Sequence, residues 1–224
     1  LGTRLRSVAA DIPKALVPVA GRPFIEHQFE LLKKHGLTDV LLCTGHLGEQ
    51  LEAHVGGGAR FGMRVAYSQE NPRQLLGTGG ALLLALPLLE ESFIVLYGDS
   101  YLPADYTAIV RAFQASNDPG MMTVYRNEGK WDPSNVRIEG RRVTHYSKKT
   151  RPGEADYIDY GMTLYHRSVL EAWKDAPTPL DLSLVQETLA REGRMGAFEV
   201  HERFYEVGKP EGLAELNALL EASK

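Results

Sequence analysis

The sequence predicts an α/β fold, a mostly parallel mixed sheet flanked by helices, and three observations carry that expectation. Apolar runs of strand length alternate with helical patterns from Pro23 to Tyr125. Glycines and prolines mark the boundaries between them. The composition, 43% hydrophobic and 24% charged, is that of a globular chain with a core to bury. At 224 residues the chain reads as one domain over residues 1–224, with no repeat and no low-complexity linker.

Pro23 at a helix start, Ile25, Phe29 and Leu32 on one face and Gly36 at the end predict a helix of about three turns. A short apolar run over 39–43 predicts a buried strand. Helix over 48–55, strand over 63–67, helix over 80–89 and strand over 92–97 follow, the last ending at Gly98-Asp99. Helix over 105–115 and strand over 120–125 complete the alternation, which favours parallel strands covered on both faces. The second half differs: a hairpin over 136–146 turning near Glu139-Gly140, a strand over 157–166, then helices over 182–192 and 210–221 about a strand at 197–201. Ligands of such sheets bind beyond the carboxyl ends of the strands, where Gly98-Asp99, the loop between Tyr67 and Gly80 and the N-terminal loop all fall.

The net charge of −4 gives no general attraction to nucleic acid or to an anionic membrane, so neither is an expected partner. One cysteine, Cys43, excludes an internal disulfide framework and a cysteine zinc cluster; its apolar run predicts a buried structural thiol. The longest apolar stretch, Ala81 to Leu89, is too short for a membrane span and contains Pro87, and the cytoplasm is the expected compartment. The seven histidines show no metal-binding spacing.

The N-terminus is the most informative segment. Gly2-Thr3-Arg4, then Pro13-Lys14 followed by Ala15-Leu16-Val17-Pro18-Val19-Ala20-Gly21, puts a glycine turn, an arginine and a lysine into one short loop. Glycine lets a backbone approach an anion closely, exposed N–H groups form a nest, and Arg4 and Lys14 add full positive charge. Those residues together suit a polyphosphate.

This spacing resembles the signature of the sugar-1-phosphate nucleotidyltransferases, G-G-x-G-T-R-L-x-P-x-T followed by P-K, and the resemblance extends over essentially the whole chain. It implies a Rossmann-like core with a smaller, lid-like β lobe on the sugar side. The pattern looks most like compact bacterial enzymes that act on heptose 1-phosphate or N-acetylmuramate 1-phosphate and feed cell-surface polysaccharide or wall recycling. Two departures stand at this end. The chain begins inside the motif, without the family's apolar first strand and leading glycines, and Ser7 replaces a usual proline. A sheet lacking a central strand would expose an edge, so residues preceding Leu1 are expected in the natural protein.

The resemblance also implies roles. Asp99, in Tyr97-Gly98-Asp99-Ser100, matches the G-D motif whose aspartate holds Mg²⁺ against the nucleotide, a sensible task for one carboxylate beside phosphate oxygens. Glu206-Val207-Gly208-Lys209-Pro210 stands where D-[IV]-G-x-P is common, which makes Glu206 a second metal ligand one methylene longer. Leu76-Gly77-Thr78-Gly79-Gly80 resembles the segment whose backbone meets base and ribose, so Gly77, Thr78 and Gly79 join Gly2, Thr3, Arg4 and Lys14 as nucleotide-binding candidates. Glu70 would accept hydrogen bonds from a guanine edge, whereas a main-chain donor would favour a pyrimidine; GTP, UTP and CTP all stay open. Either Lys148 or Lys149 corresponds to the family's sugar-phosphate lysine, while Asp159, Gly161 and Asn135 are sugar-side candidates and Trp131 is read as packing.

The implied reaction moves a nucleoside monophosphate from an NTP to a sugar 1-phosphate, with Arg4, Lys14 and Asp99 as catalytic residues. A phosphate monoester is largely dianionic at pH 7, its second pKa lying near ~6, so the nucleophile needs charge relief and placement rather than a strong base. Two rivals are a non-catalytic nucleotide-sugar sensor, supported by the Glu206 departure, and a glycosyltransferase, whose D-x-D is absent at Gly98-Asp99-Ser100-Tyr101.

Overall fold

The computed structural model describes residues 12–222. A 3-10 turn (Lys14–Leu16) leads into β1 (Pro18–Val19), β2 (Arg22–Pro23), α1 (Phe24–Lys34), β3 (Asp39–Thr44), α2 (Gly48–Val55) and β4 (Arg64–Gln69). Then come α3 (Gly77–Ala85), β5 (Ser92–Leu96), β6 (Ser100–Tyr101), α4 (Tyr106–Gln114), β7 (Gly120–Arg126), β8 (Val136–Glu139) and β9 (Arg142–Tyr146). The chain closes with β10 (Tyr157–His166), α5 (Arg167–Glu171), α6 (Leu182–Arg191), β11 (Met195–Val200), β12 (Tyr205–Glu206) and α7 (Pro210–Ala222). These elements form two compact units. The first takes the described residues up to Gln74, Tyr97–Pro103 and those from Phe204 onward; the second takes Leu75–Leu96 and Ala104–Arg203.

In the first unit, β3 and β4 run parallel from Asp39 opposite Arg64 to Thr44 opposite Gln69, with α2 between them in the chain. Side chains alternate across a strand, so Val40, Leu42, Val65 and Tyr67 pack on a cluster of Ile25, Phe29, Leu51, Val55 and Met63. The same alternation corrects one expectation. Cys43 lies one residue from Leu42, hence on the other face, and is exposed rather than buried. Its thiol is still pushed up, by desolvation first and by the Glu70 carboxylate second, which disfavours a reactive thiolate.

A second cluster, Val17, Val19, Phe24, Val207, Leu213 and Leu216, joins the β1–β2 hairpin to α7. The two hairpin residues, Ala20 and Gly21, both have positive φ (47° and 83°), the conformation a tight two-residue hairpin requires. Ala20 is held there by donating its N–H to Asn217 Oδ1 at 2.6 Å.

The second unit is built on a six-stranded sheet in the order β5-β10-β7-β11-β9-β8. It is mixed, but with few parallel pairs: β7 and β11 run parallel, while β10 is antiparallel to β5 and β7, and β9 is antiparallel to β8 and β11. The β8–β9 hairpin and β10 share this sheet with β5 and β7, because the ten-residue β10 is buried along most of its length and needs a neighbour on each side. Its core gathers Met122, Val124, Tyr165, Leu170, Leu182 and Val185. Among the described residues no helix is long and apolar enough to cross a membrane.

Candidate active site

Two of the expected residues, Lys14 and Asp99, meet in the first unit, and a third, Glu206, lies on the strand beside them. Gln28, on α1, donates from Nε2 to the carbonyls of Tyr97 (3.2 Å) and Ser100 (2.9 Å) and so pins the Gly98-Asp99 turn at both ends. β12 pairs antiparallel with β6, with Glu206 opposite Ser100, and the Val207 N–H donates to the Asp99 carbonyl at 2.9 Å. The Lys14 ammonium stands 2.8 Å from Asp99 Oδ2, with the two side chains 59% and 32% exposed. A Cβ on Gly208 would lie 3.2 Å from Lys14 Nζ and 3.3 Å from Asp99 Oδ2, so glycine lets the backbone close over this pair.

Asp99 and Glu206, at the ends of neighbouring strands, fit magnesium, which takes one or two carboxylates and completes its shell with water and phosphate oxygens. No cluster of three or more His, Cys, Asp or Glu side chains suited to an all-protein metal cage occurs among the described residues. Glu70 donates its N–H to the Thr44 carbonyl, and its carboxylate lies where a Cβ on Gly45 would meet it at 2.8 Å. Gly2, Thr3 and Arg4 fall outside the described residues.

The second unit holds the sugar-side candidates. The Asp159 N–H donates to Asn135 Oδ1, and Asp159 Oδ1 accepts from the Gly161 N–H, each at 2.9 Å. Gly161, at φ 94°, sits where the β10–β7 register shifts, so a backbone bend accounts for this glycine. Desolvation pushes the Asp159 carboxyl up to about 6, against the Gly161 and Tyr146 hydrogen bonds and the Lys148 charge. Of the two lysines, Lys148 is the one engaged: its ammonium reaches both carboxylate oxygens of Asp181, at 2.9 and 2.8 Å. Among the described residues Lys149 contributes a backbone N–H to Ser147 Oγ at 3.2 Å.

The glycine segment is zipped to the chain before α6. The N–H groups of Gly79 and Gly80 donate to the Leu180 carbonyl (2.8 and 3.2 Å), and the Leu180 N–H returns to the Leu76 carbonyl (2.8 Å). Gly77 has φ 78°, and a Cβ there would come within 2.5 Å of the Leu180 oxygen. Thr78 Oγ1 accepts from the Leu182 N–H at 2.9 Å and donates to Asp181 Oδ1 at 3.3 Å. Helix α3 consequently starts at Gly77, three residues before the expected position.

Sequence reasoning missed Gln28, Asn127, Tyr146 and Asp181. Gln28 did carry a signal, as a polar residue on the inward face shared by Ile25, Phe29 and Leu32. Asn127 is fully buried; it donates to the Asp132 carbonyl and Ser134 Oγ and accepts from the Trp131 N–H, which ties down the loop before Asn135. Trp131 is capped by the Arg203 guanidinium 3.6 Å above its ring. An open cavity of about 410 Å³ between the end of α4 and the β8–β9 turn contains none of the expected site residues.

The nucleotidyl transferase family pattern matches residues 1–223. A mannose-1-phosphate guanyltransferase beta-B of Xenopus laevis is 29% identical over 93% of the chain and 59% of its own length, so the chain spans about three fifths of that relative. A D-glycero-alpha-D-manno-heptose 1-phosphate guanylyltransferase of Campylobacter jejuni is 36% identical over 49% of the chain and 48% of its own length. Among solved structures, a putative glucose-1-phosphate thymidylyltransferase of Bacillus anthracis superposes with a TM-score of 0.84 at 22% identity, covering 97% of this chain and 90% of that one, and shares the fold. With the matched pattern running through both units, the chain belongs to the nucleotidyl transferase family.

Proposed function

We propose that the protein is a cytoplasmic enzyme, a single catalytic domain that transfers a nucleoside monophosphate from a nucleoside triphosphate to a sugar 1-phosphate and releases pyrophosphate. The observation that carries this reading is the Lys14–Asp99 pair under the Gly208 backbone, a cation that opens the 3-10 turn and a metal-type carboxylate directly before β6. In this reading Arg4 and Lys14 neutralise the triphosphate, and Lys148 or Lys149 holds the incoming sugar phosphate. A phosphate oxygen of the sugar 1-phosphate then bonds to the α-phosphorus as the bond to pyrophosphate breaks, with no proton to abstract from a dianion. Magnesium held by Asp99 and Glu206 would supply charge neutralisation at the phosphates.

Guanine is the base to try first, because both curated relatives described above are named guanylyltransferases and Glu70 is an acceptor for the amino edge of that base. The product would be a nucleotide sugar for cell-surface polysaccharide. Thermal unfolding with each NTP and Mg²⁺ tests the donor half without a guess about the sugar. A ligand at 100 times its Kd adds ~2.7 kcal/mol of stability. One nucleotide should raise the melting temperature, and the shift should disappear in Arg4→Ala. No shift with GTP, UTP, CTP or dTTP would count against the transferase reading; a shift with NDP-sugars alone would favour a sensor.

A further inference from the structure

We propose that Asp181 is a positioning residue, which tethers the Lys148 ammonium to the glycine segment and so makes Lys148, rather than Lys149, the cation offered to the sugar phosphate. This rests on the sugar-phosphate reading of the lysine pair above. Asp181 is the N-cap of α6, and that task alone needs only its contact with the Ser183 N–H at 3.0 Å, which Ser or Asn would serve equally. Two further contacts exceed what a cap requires. Both carboxylate oxygens take the Lys148 ammonium, and Oδ1 also takes the Thr78 hydroxyl.

The far end of the tether is fixed. Thr78 is bonded to the first turn of α6, and Leu180 exchanges backbone hydrogen bonds with Leu76, Gly79 and Gly80. The near end is a flexible four-carbon side chain whose ammonium has three donors, enough to keep the carboxylate and still reach an anion. Both partners are half exposed, at 52% and 54%, so the pair adds little to folding. Its effect belongs at the ligand, as conformational freedom already restricted before binding.

Asp181→Asn keeps the capping oxygen and removes the charge. With GTP, UTP, CTP and dTTP each paired with mannose 1-phosphate and glucose 1-phosphate, the best pairing serves for kinetics. Asp181→Asn should raise the KM for the sugar phosphate about fivefold and lower kcat less than twofold. Lys148→Ala should raise that KM further, and Asp181→Asn should add nothing in its background, as for two residues acting as a unit. A KM that is unchanged or lower in Asp181→Asn, or additive effects in the double variant, would overturn the proposal. Absence of pyrophosphate release by the wild type in every pairing would speak against the transferase reading instead. The tether is then read by acetic anhydride labelling and mass spectrometry, which need no turnover. Lys148 should be protected relative to Lys149 in the wild type and lose that protection in Asp181→Asn; equal labelling of the two in both proteins would overturn it.

Discussion

The two units hold their polar residues in opposite ways. In the first, Lys14 and Asp99 are exposed side chains that meet each other, while backbone ladders and Gln28 do the holding. In the second, the candidate residues are themselves structural: Thr78 and Asp181 cap a helix, Asn135 and Asp159 join a loop to β10, and Gly77 admits a neighbouring backbone. The difference separates function from folding. Charges in the first unit can be removed at little cost to the fold, whereas changes at Gly77, Asn127 and Asp159 in the second, unlike the exposed Lys148–Asp181 pair, are felt as stability.

The largest expected effect tests the first half of that contrast. Lys14→Ala should lower turnover by ~10²–10³, as expected when one electrostatic contact at a developing charge is lost, with the melting temperature within a degree or two of wild type. A marked loss of stability in this variant would break the contrast. Gly77→Ala tests the second half. It places a Cβ 2.5 Å from the Leu180 oxygen at a positive φ, which together should cost about 2–4 kcal/mol by chemical denaturation. Asn127→Ala removes a fully buried side chain that makes three hydrogen bonds, to the Asp132 carbonyl, Ser134 Oγ and the Trp131 N–H, and should cost about 1–3 kcal/mol.

The smallest effect depends on pH. Asp159 titrates at about 6 in the folded protein against an ordinary 3.8. Between those values the folded state binds more protons than the unfolded state, so this group's contribution is fully present below about 3.8 and is lost as pH rises through about 6. Asp159→Asn should therefore be more stable than wild type at pH 7, and the difference should shrink steadily as pH falls towards 4. An advantage undiminished at pH 4 would assign the effect to packing rather than to charge. Asp181 has the opposite sign: burial works against its charge, but hydrogen bonds from Lys148 and Ser183 hold it at about 2, so its contribution is lost as pH falls through about 2.

How much of this was legible follows the same division. Lys14, Asp99 and Glu206 each sit in a short motif, and the residues on either side announce a strand end or a turn. Their meeting was not legible, because it depends on two-residue strands, β6 and β12, too short to leave a periodic signal. Helices α1 and α2, and β10, appeared where spacing and punctuation placed them, since their patterns are long enough to fix a period. The mixed order of the six-stranded sheet did not, because alternating elements say nothing of which strand β10 will choose on each side. Gly77, Thr78 and Gly79 were read as ligand-facing from motif alone; Leu180, about a hundred residues away, supplies a packing reason for two glycines that no local pattern contains. Asp181 was invisible for a similar reason, its cap being local and its lysine distant.

The most direct test of nucleotidyl transfer is pyrophosphate release by wild type and Asp99→Ala, with Mg²⁺, the four NTPs and a set of sugar 1-phosphates. At least one pairing should turn over, and Asp99→Ala should run it at least ~100-fold more slowly, in line with the loss of one preorganised electrostatic contact. Turnover in Asp99→Ala above about a tenth of wild type would contradict the metal assignment by its distance from that expectation. No pyrophosphate from any pairing, in protein that melts cooperatively, would contradict the transferase itself.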